Sequence, residues 1–516
     1  MSAKPEGKVV PLRPAAGDES LPLRWSRVAL SDASRPLAAD VSDLGEGMIY
    51  RWSGACWELQ PPRDLEQQAF AWLSACAPKR ATATMAAECH KALWLALLAD
   101  TGRRLHKPAR DPVAIGTLDH DLLFDRHGRM RAVPHDPAHG LTHLIQAPLD
   151  ARRIGDDGTY APRPPAADSV WGRFLARIMP EADLQSLLQE IAGATLLPIT
   201  LERFFMLLGD GANGKSTFIH VITALHADSA VSLSADSITG RFFGQTIIGK
   251  SLATLTEMTD YAGDLMCQRI KALASRDGMF VDRKNQQPLT YVPRCTLFIA
   301  ANTPVRFHDQ SDGLLRKMLQ LPFPARLEPH ERITDHHRSI TENPREMAAV
   351  LDWALLGAQR LAARGYRFDA LPESIQRIAA EQRASADPVY AWVQAHEVRH
   401  DESVRASKGE IYRHYAAWSA DNGRKNPLAA ESFWRQVRAL VMPRNTDLPQ
   451  WRGSPDTTGV RPWLVPLRVE GVPHAVVAQA TASVSPAGGR QAEPDAFSFS
   501  RPYLIWDAGS DAPPPF

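Results

Sequence analysis

Apolar residues along the chain follow two different periods, which divide it into helical and strand-rich regions. Helical spacing of apolar side chains predicts helices over residues 64–76, 85–98, 171–197 and 347–363. Residues 106–168 are rich in Pro, Gly, Asp and His, a composition typical of loops and short strands. From residue 200 to about 325, strand-like and helix-like segments alternate, which predicts an α/β domain with a mainly parallel sheet.

Both ends of the chain lack a sustained period. Residues 1–45 are rich in Pro, Ala, Ser and Asp and are expected to form a disordered leader. Residues 471–516 contain Pro-Ala-Gly-Gly and a closing Pro-Pro-Pro, so they are expected to be largely disordered. A turn at Asp387-Pro388 opens a further region that extends to about residue 470.

Composition narrows the class of protein only in part. The 516 residues are too many for one core, so two to four domains are expected, and the 44% hydrophobic content is that of a globular protein. The net charge of +1 neither favours nor excludes nucleic acid. The five cysteines lack C-x-x-C spacing, and the sequence contains neither a signal peptide nor an apolar run of about 18 residues. We therefore expect a cytoplasmic protein with no membrane partner.

One glycine-rich segment carries specific chemistry. Residues 209–216 fit the pattern G-x-x-x-x-G-K-[ST], with a strand-like run before them and helical spacing after them. That context favours a P-loop, in which Lys215 reaches the β- and γ-phosphates of ATP and Ser216 holds Mg²⁺. The residues expected at the nucleotide are Gly209, Asp210, Gly211, Ala212, Asn213, Gly214, Lys215, Ser216 and Thr217.

Polar residues after the next strand-like runs are candidates for hydrolysis. Glu257 ends the run from 250 and is expected to orient the attacking water and support the Mg²⁺ shell. Asn302, at the end of the run from 295, is expected to sense the γ-phosphate. Arg316 is placed to act as a finger on the nucleotide of a neighbouring subunit.

The segment between Glu257 and Asn302 is predicted to form a basic hairpin. Two β-prone arms, over residues 268–278 and 280–293, flank a polar tip. Lys271, Arg283 and Lys284 are its candidate DNA-binding residues, because clustered cations hold a phosphate backbone.

This ordered set of motifs resembles a superfamily 3 helicase, of the branch found in phage/plasmid primase–helicases and in the poxvirus nucleoside triphosphatase. The resemblance implies an AAA+-like ATPase core that uses ATP and Mg²⁺ and assembles as a homo-oligomer, most often a hexamer. It implies 3′→5′ movement on single-stranded and forked DNA during replication of a phage, prophage or plasmid. Lys215, Glu257, Asn302 and Arg316 take the catalytic roles.

The sequence departs from the family pattern in two places. Thr256 precedes Glu257 where many members have paired acids, and Arg316-Lys317 stands where Arg-Arg is usual, which leaves the choice of finger open between them. The region before residue 45 is too short for the primase domain of phage members. We therefore expect a stand-alone helicase served by a separate primase or replication initiator.

A second DNA-binding element is predicted near the C-terminus. Two helices, over residues 407–418 and 432–440, are joined by a short segment, as in a helix-turn-helix or winged helix. Arg435 and Arg438 on the second helix are its candidate DNA contacts. A helical packing domain that does not contact DNA is the alternative.

These observations give a domain plan and leave other functions open. The plan is a disordered leader (1–45), a mostly helical pre-helicase domain (46–199), the ATPase core (200–330), a helical extension (331–385), a winged-helix-like domain (386–470) and a disordered tail (471–516). The alternatives are a mobile-element ATPase with a regulatory or defence role and no unwinding, and a small-molecule kinase, which the motifs after the P-loop disfavour. A group of His and Asp residues over 119–143 is expected to be a solvated loop rather than a metal site.

Overall fold

The structure is a computed structural model. It describes residues 19–40, 48–105, 111–258, 260–284, 288–309, 312–424, 426–443, 446–455 and 459–476. The chain forms two compact units, one ending at Ala391 and the other beginning at Trp392. Most of the predicted tail and the first 18 residues of the predicted leader lie outside the described residues.

The N-terminal part of the first unit mixes helices with small antiparallel sheets. Its elements are α1 (Leu21–Leu30), β1 (Leu37–Asp40), β2 (Met48–Trp52), β3 (Trp57–Gln60), α2 (Pro62–Cys76), α3 (Ala83–Ala99), β4 (Val113–Gly116), β5 (Asp121–Phe124), β6 (Met130–Val133), β7 (Thr159–Tyr160), α4 (Val170–Ile178) and α5 (Ala182–Leu196). Strands β1–β3 form one sheet and β4–β7 another, each in chain order. Helices make up most of the regular structure described between residues 48 and 199, and β4–β7 lie in the segment expected to form loops and short strands. The sheet of β1–β3 was not predicted.

The predicted disordered leader also needs correction. Helix α1 and strand β1 lie within it, and β1 pairs with β2 in register from Leu37 opposite Arg51. Trp25 is buried on α1 and lies 5.7 Å from Trp72 of α2 between ring centroids. Leu21 is buried one helical turn before Trp25, and this i, i+4 pair is enough to dock a ten-residue helix.

A parallel sheet forms the centre of the first unit. Its elements and those that follow it are β8 (Phe204–Leu208), α6 (Lys215–His226), β9 (Ala230–Leu233), α7 (Ala235–Thr239), α8 (Phe243–Ile247), β10 (Leu252–Leu255), β11 (Tyr261–Ala262), α9 (Asp264–Ser275), β12 (Met279–Val281), β13 (Leu289–Tyr291), β14 (Thr296–Ala301), β15 (Arg306–Phe307), α10 (Asp312–Leu315), β16 (Met318–Pro322), α11 (His336–Thr341), α12 (Pro344–Ala363) and α13 (Glu373–Ala386). Among the described residues, five strands pair in the order β16-β8-β14-β10-β9, and every pairing is parallel. The predicted α/β class with a parallel sheet is confirmed.

Helices cover both faces of this sheet. Alternate residues of β8 point to opposite faces, so Phe205 packs with α4, α5, α6 and α12 whereas Phe204 packs with α7, α8 and α9. Both faces of β8 are buried, which is why its sequence is apolar throughout rather than alternating. The strand that precedes the P-loop is thereby held rigidly from both sides.

Helices α5 and α12 meet backbone to backbone. A Cβ on Gly193 would overlap the backbone of Ala358, and a Cβ on Gly357 would overlap the backbone of Gln189. Helix α12 also reaches α4, because both carboxylate oxygens of Glu346 accept hydrogen bonds from the first backbone N–H groups of α4, at 2.9 and 3.0 Å. Together these contacts fix α4 beside the sheet.

The second unit contains the remaining elements. They are α14 (Pro388–Ala395, which spans the boundary), β17 (Arg399–His400), β18 (Val404–Ser407), α15 (Lys408–Asp421), α16 (Ala430–Val441), β19 (Trp451–Arg452), β20 (Trp463–Val465), β21 (Leu467–Arg468) and β22 (His474–Val476). Helices α15 and α16 lie between β18 and β19 in the chain. Strand β18 joins the later strands in an antiparallel sheet with the order β19-β20-β18-β22, and Phe433 stacks on Tyr415 at 4.5 Å in the core. Strand β22 lies beyond the predicted end at residue 470. None of the described helices is long and apolar enough to cross a membrane.

We predict that Gly357→Ala destabilises the first unit. The added methyl has to displace the backbone of α5, and overpacking of this kind costs about 3 kcal/mol. Gly409→Ala is the matched control, because Gly409 also lies in a helix but a Cβ there meets nothing closer than 3.8 Å. Denaturant unfolding followed by tryptophan fluorescence measures both, and an unchanged midpoint for Gly357→Ala would contradict the close contact.

Candidate functional site

Three of the predicted motifs follow strands that end at the same edge of the parallel sheet. The P-loop follows β8, Thr256 and Glu257 follow β10, and Asn302 follows β14. The structure brings two of them into contact, since Lys215 Nζ donates to the carbonyl oxygen of Gly209 at 2.7 Å and lies 3.3 Å from Asn302 Oδ1. This edge is where parallel α/β sheets bind ligands.

The backbone of the P-loop depends on its glycines. Gly211 and Gly214 have φ angles of +90° and +83°, in the left-handed region that glycine enters without steric cost. A Cβ on Gly214 would also collide with the side chain of Ile178 from α4. Helix α6 begins directly afterwards at Lys215, so its N-terminal N–H groups and the positive end of its dipole lie at the loop.

Two buried side chains make the loop receptive to an anion. Asn213 is 3% exposed, and its Oδ1 accepts from the backbone N–H of Lys215 at 3.3 Å. Among the described residues, Asn213 Nδ2 has no hydrogen-bond partner. Burial lowers the pKa of Lys215, an effect that the nearby carboxylate of Asp210 opposes. A bound phosphate would supply an acceptor for the amide and a counter-charge for the ammonium.

A cleft of about 670 Å³ opens in front of the loop. Its volume lies within the roughly 300–1,000 Å³ typical of small-molecule sites. Ser216 and Thr217 line it beside the loop, and apolar side chains of α4, including Phe174, form a second wall. The sequence did not predict this wall. Apolar residues along α4 have the same helical spacing whether they pack in a core or line a ligand site.

An ion pair frames the outer wall of the cleft. Arg177 on α4 donates from Nε and Nη2 to the two carboxylate oxygens of Glu331, both at 2.7 Å. The hydrogen bonds from Arg177 lower the pKa of Glu331 to about 2. Arg177 also donates to the carbonyl oxygen of Arg326 at 2.7 Å, so it joins α4 to the segment that follows the sheet.

The predicted catalytic acid is not among the residues that line the cleft. Glu257 is exposed, and the cleft is lined at that strand end by Thr256. The role of Glu257 stays a prediction.

Arg316 and Lys317 lie in different environments. Lys317 is 7% exposed, and its Nζ forms an ion pair with Glu202 Oε2 at 3.0 Å. Arg316 is exposed and does not line the cleft of its own subunit, while its carbonyl oxygen accepts from Arg203. Of these two residues, Arg316 alone is available to a second molecule.

The basic hairpin is shorter than predicted. Strands β12 and β13 pair antiparallel, but the expected first arm belongs to helix α9. Lys271 therefore lies on α9, where its Nζ is 2.5 Å from Asp309 Oδ2 and its charge is neutralised. Arg283 is buried, whereas Lys284 is exposed. The remaining tip residues, 285–287, lie outside the described residues.

Exposed aromatic side chains add to the basic surfaces of the chain. Phe280 on β12 is 74% exposed, which is unusual for a phenylalanine. In the second unit, the guanidinium of Arg405 lies 3.6 Å from the ring centroid of Trp451. Arg452 lies 4.0 Å from that of Trp463 on the neighbouring strand. Arginine and exposed aromatic residues together are typical of surfaces that bind single-stranded nucleic acid.

The two arginines predicted on helix α16 are exposed but engaged locally. Arg438 Nη1 lies 2.5 Å from Asp447 Oδ1, and Arg435 Nη2 lies 3.2 Å from Ser432 Oγ. Surface pairs of this kind are weak, so both arginines remain candidates for DNA contact.

The histidine-rich segment is not the solvated loop that we expected. Asp121 is fully buried, and its two carboxylate oxygens each lie 2.7 Å from Nδ1 of a histidine, His135 and His139. Within the described residues, no group of three or more His, Cys, Asp or Glu is arranged to hold a metal ion. The cluster therefore links β5 to the following segment.

Comparison with known proteins gives one family match and several distant structures. A family of unknown function, DUF5906, matches residues 207–317, from the P-loop strand to Lys317. An apo structure of the NrS-1 C-terminal region, A form, has a TM-score of 0.43 at 11% identity, covering 87% of this chain and 99% of that one. A second apo structure, of NrS-1 residues 305–718, has a TM-score of 0.41 at 10% identity, covering 87% and 100%.

Proposed function

We propose that this chain is an ATP-dependent DNA helicase that works as a ring of identical subunits in the replication of a phage, prophage or plasmid. The observation that carries the proposal is the contact between Lys215 and Asn302 at the carboxyl edge of the sheet, with Arg316 exposed outside its own cleft. An exposed arginine at this position fits a finger that acts on the nucleotide of a neighbouring subunit.

The residues of the cleft fit a nucleoside triphosphate with Mg²⁺. Lys215 and the amide of Asn213 would bind phosphate oxygens, and Ser216 would hold the metal ion with support from Glu257. When bound, Mg²⁺ neutralises charge on the phosphate oxygens. Asn302, already beside the lysine, would position the attacking water.

Arg316 would complete the site of the next subunit. A guanidinium stabilises the charge that develops on the transferred phosphoryl group, and supplying it from a neighbour couples hydrolysis to assembly. The ion pair of Lys317 with Glu202 supports the assignment of Arg316, rather than Lys317, as this finger.

Two surfaces would contact single-stranded DNA. Lys284 would bind backbone phosphate and Phe280 would stack on a base at the hairpin. In the second unit, Trp451 and Trp463 would stack on bases beside their paired arginines. Helices α15 and α16 are followed by the antiparallel pair β19 and β20, which is the element order expected of a winged helix.

Lys215→Ala should abolish ATP-dependent unwinding of a forked DNA. Loss of the lysine leaves the triphosphate bound without its main cation, so hydrolysis should fall by at least a hundredfold, on the order of the loss of one electrostatic group. Lys91→Ala, an exposed lysine on α3, is the control and should unwind normally. Strand separation with a fluorescent fork measures both.

The same assay separates the helicase from its alternatives. DNA-stimulated hydrolysis without strand separation by the wild-type protein would replace the proposal with the regulatory or defence ATPase. A hydrolysis rate that does not change with DNA would contradict both the helicase and the regulatory or defence ATPase.

Arg316→Ala should lower the hydrolysis rate about a thousandfold while nucleotide affinity is retained. Arg377→Ala, an exposed arginine on α13, is the matched control. Mixing the Arg316→Ala and Lys215→Ala proteins should restore part of the activity, because some neighbouring pairs then combine an intact P-loop with an intact finger. Mixtures that stay as inactive as either protein alone would show that Arg316 does not act between subunits.

DNA binding should respond differently to the two proposed surfaces. Lys284→Ala should reduce the slope of log affinity against log salt by about 0.7 for each lost phosphate contact. Trp451→Ala should weaken binding by about 1–3 kcal/mol for each lost stack and leave that slope unchanged. Fluorescence anisotropy with oligothymidylate measures both, with Lys91→Ala as the control; identical effects of the two variants would count against this division of roles.

A further inference from the structure

A second cavity lies at the opposite edge of the parallel sheet from the P-loop. Its volume is about 230 Å³. Lys250 and Arg294 line it from the segments that lead into β10 and β14, and Asp40 and Tyr50 line it from the N-terminal sheet. Because parallel strands begin at one edge and end at the other, this cavity is separate from the nucleotide cleft.

The charges that line the cavity are unbalanced. Arg276, Arg294 and Lys250 are cationic, whereas Asp40 is the one carboxylate among the described residues that line it, 4.0 Å from Arg294. Arg276 forms no ion pair within the described part of the chain. The partly buried ring of His143 adds no charge at neutral pH, since desolvation lowers its pKa to about 4.

Arg276 is held in this position by its backbone. It follows α9 directly and has a φ angle of +54°, a left-handed conformation that is costly for a residue with a Cβ. Burial lowers the pKa of its guanidinium to about 10, and the positive charge of Arg294 acts in the same direction. An anion that binds the partly buried guanidinium would offset the cost of keeping its charge without an ion-pair partner.

We propose that this cavity binds a phosphate group through Arg276 and Arg294. Guanidinium groups match phosphate with paired N–H donors, and two of them beside Lys250 provide more positive charge than the single Asp40 offsets. The volume is below the roughly 300–1,000 Å³ of sites for larger ligands. The ligand is therefore a small phosphate ester or a single phosphate of a DNA backbone, rather than a second nucleoside triphosphate.

The two arginines bracket the hairpin. Two residues separate Arg276 from the start of β12, and two residues separate the end of β13 from Arg294. The base of the hairpin already contacts the cavity wall, because the hydroxyl of Tyr291 accepts from the backbone N–H of Gly249 at 2.9 Å. A phosphate held by both arginines ties the two ends of the hairpin together. An effect on DNA binding rests on the proposed function, whereas phosphate binding itself does not.

The test uses the full chain carrying Lys215→Ala, which weakens phosphate binding at the P-loop. Thermal unfolding is measured with sodium phosphate against sodium chloride at equal ionic strength. Phosphate should raise the midpoint, and Arg276→Gln should weaken the apparent affinity at least tenfold. Arg294→Gln is the second variant in case the first does not fold, and Arg377→Gln is the control. The proposal would be overturned if the unfolding midpoint does not change with phosphate. It would also be overturned if the phosphate-induced shift persists in both Arg276→Gln and Arg294→Gln.

Two further ligands test which class of molecule supplies the phosphate group. Adenosine monophosphate and a short oligothymidylate are each compared with inorganic phosphate, and the one whose effect depends on Arg276 is the natural class of ligand. Hydrogen exchange over residues 279–291 should slow with that ligand, which a purely structural role of Arg276 does not predict. Unchanged exchange would overturn the link to the hairpin. If the wild-type protein does not unwind DNA but the phosphate shift persists, the proposed function fails while this site stands.

Discussion

The close approach of helices α5 and α12 is the constraint on which the cleft beside Lys215 depends. Gly193 and Gly357 allow the two backbones to touch, and no larger residue fits either position without moving a helix. Helix α4 precedes α5 and is capped by Glu346 of α12, so its place is set by the same contact. Ile178 of α4 then lies directly against Gly214. A packing contact far from the phosphates thus determines the shape of the loop that would bind them.

The first unit keeps positive charge at both edges of its sheet. At the carboxyl edge, Lys215 is buried among carbonyl and amide groups rather than carboxylates. At the amino edge, Arg276 lies in a cavity where cations outnumber acids. Elsewhere the chain pairs its buried charges closely, as Asp352 does with Arg153 and Glu190 with Arg364. This contrast is the physical basis for proposing a ligand at each edge, because unpaired buried charge is costly to keep without one.

Features that depend on local sequence patterns were predictable, whereas features that depend on contacts between distant residues were not. The parallel sheet was predictable because its strands are continuous apolar runs, and the P-loop because its spacing is tied to a strand and a helix. Asn302 was predictable because strand ends share an edge. The burial of Arg283, the pairing of Lys271 with Asp309 and the helix in place of the first hairpin arm depend on contacts distant in sequence. The sheet of β1–β3 was missed because strands of four or five residues carry almost no periodic signal.

The order of strands in the sheet has a consequence for biosynthesis. Strand β8 lies between β14 and β16, both of which follow it by most of the length of the core. While the chain is being made, the P-loop strand emerges with both of its hydrogen-bonding edges and both of its apolar faces uncovered. Pairings this distant in sequence form slowly, and exposed apolar strands aggregate. The sheet around β8 is therefore complete only after β16 has left the ribosome, and until then β8 is the strand of this sheet most in need of protection from aggregation.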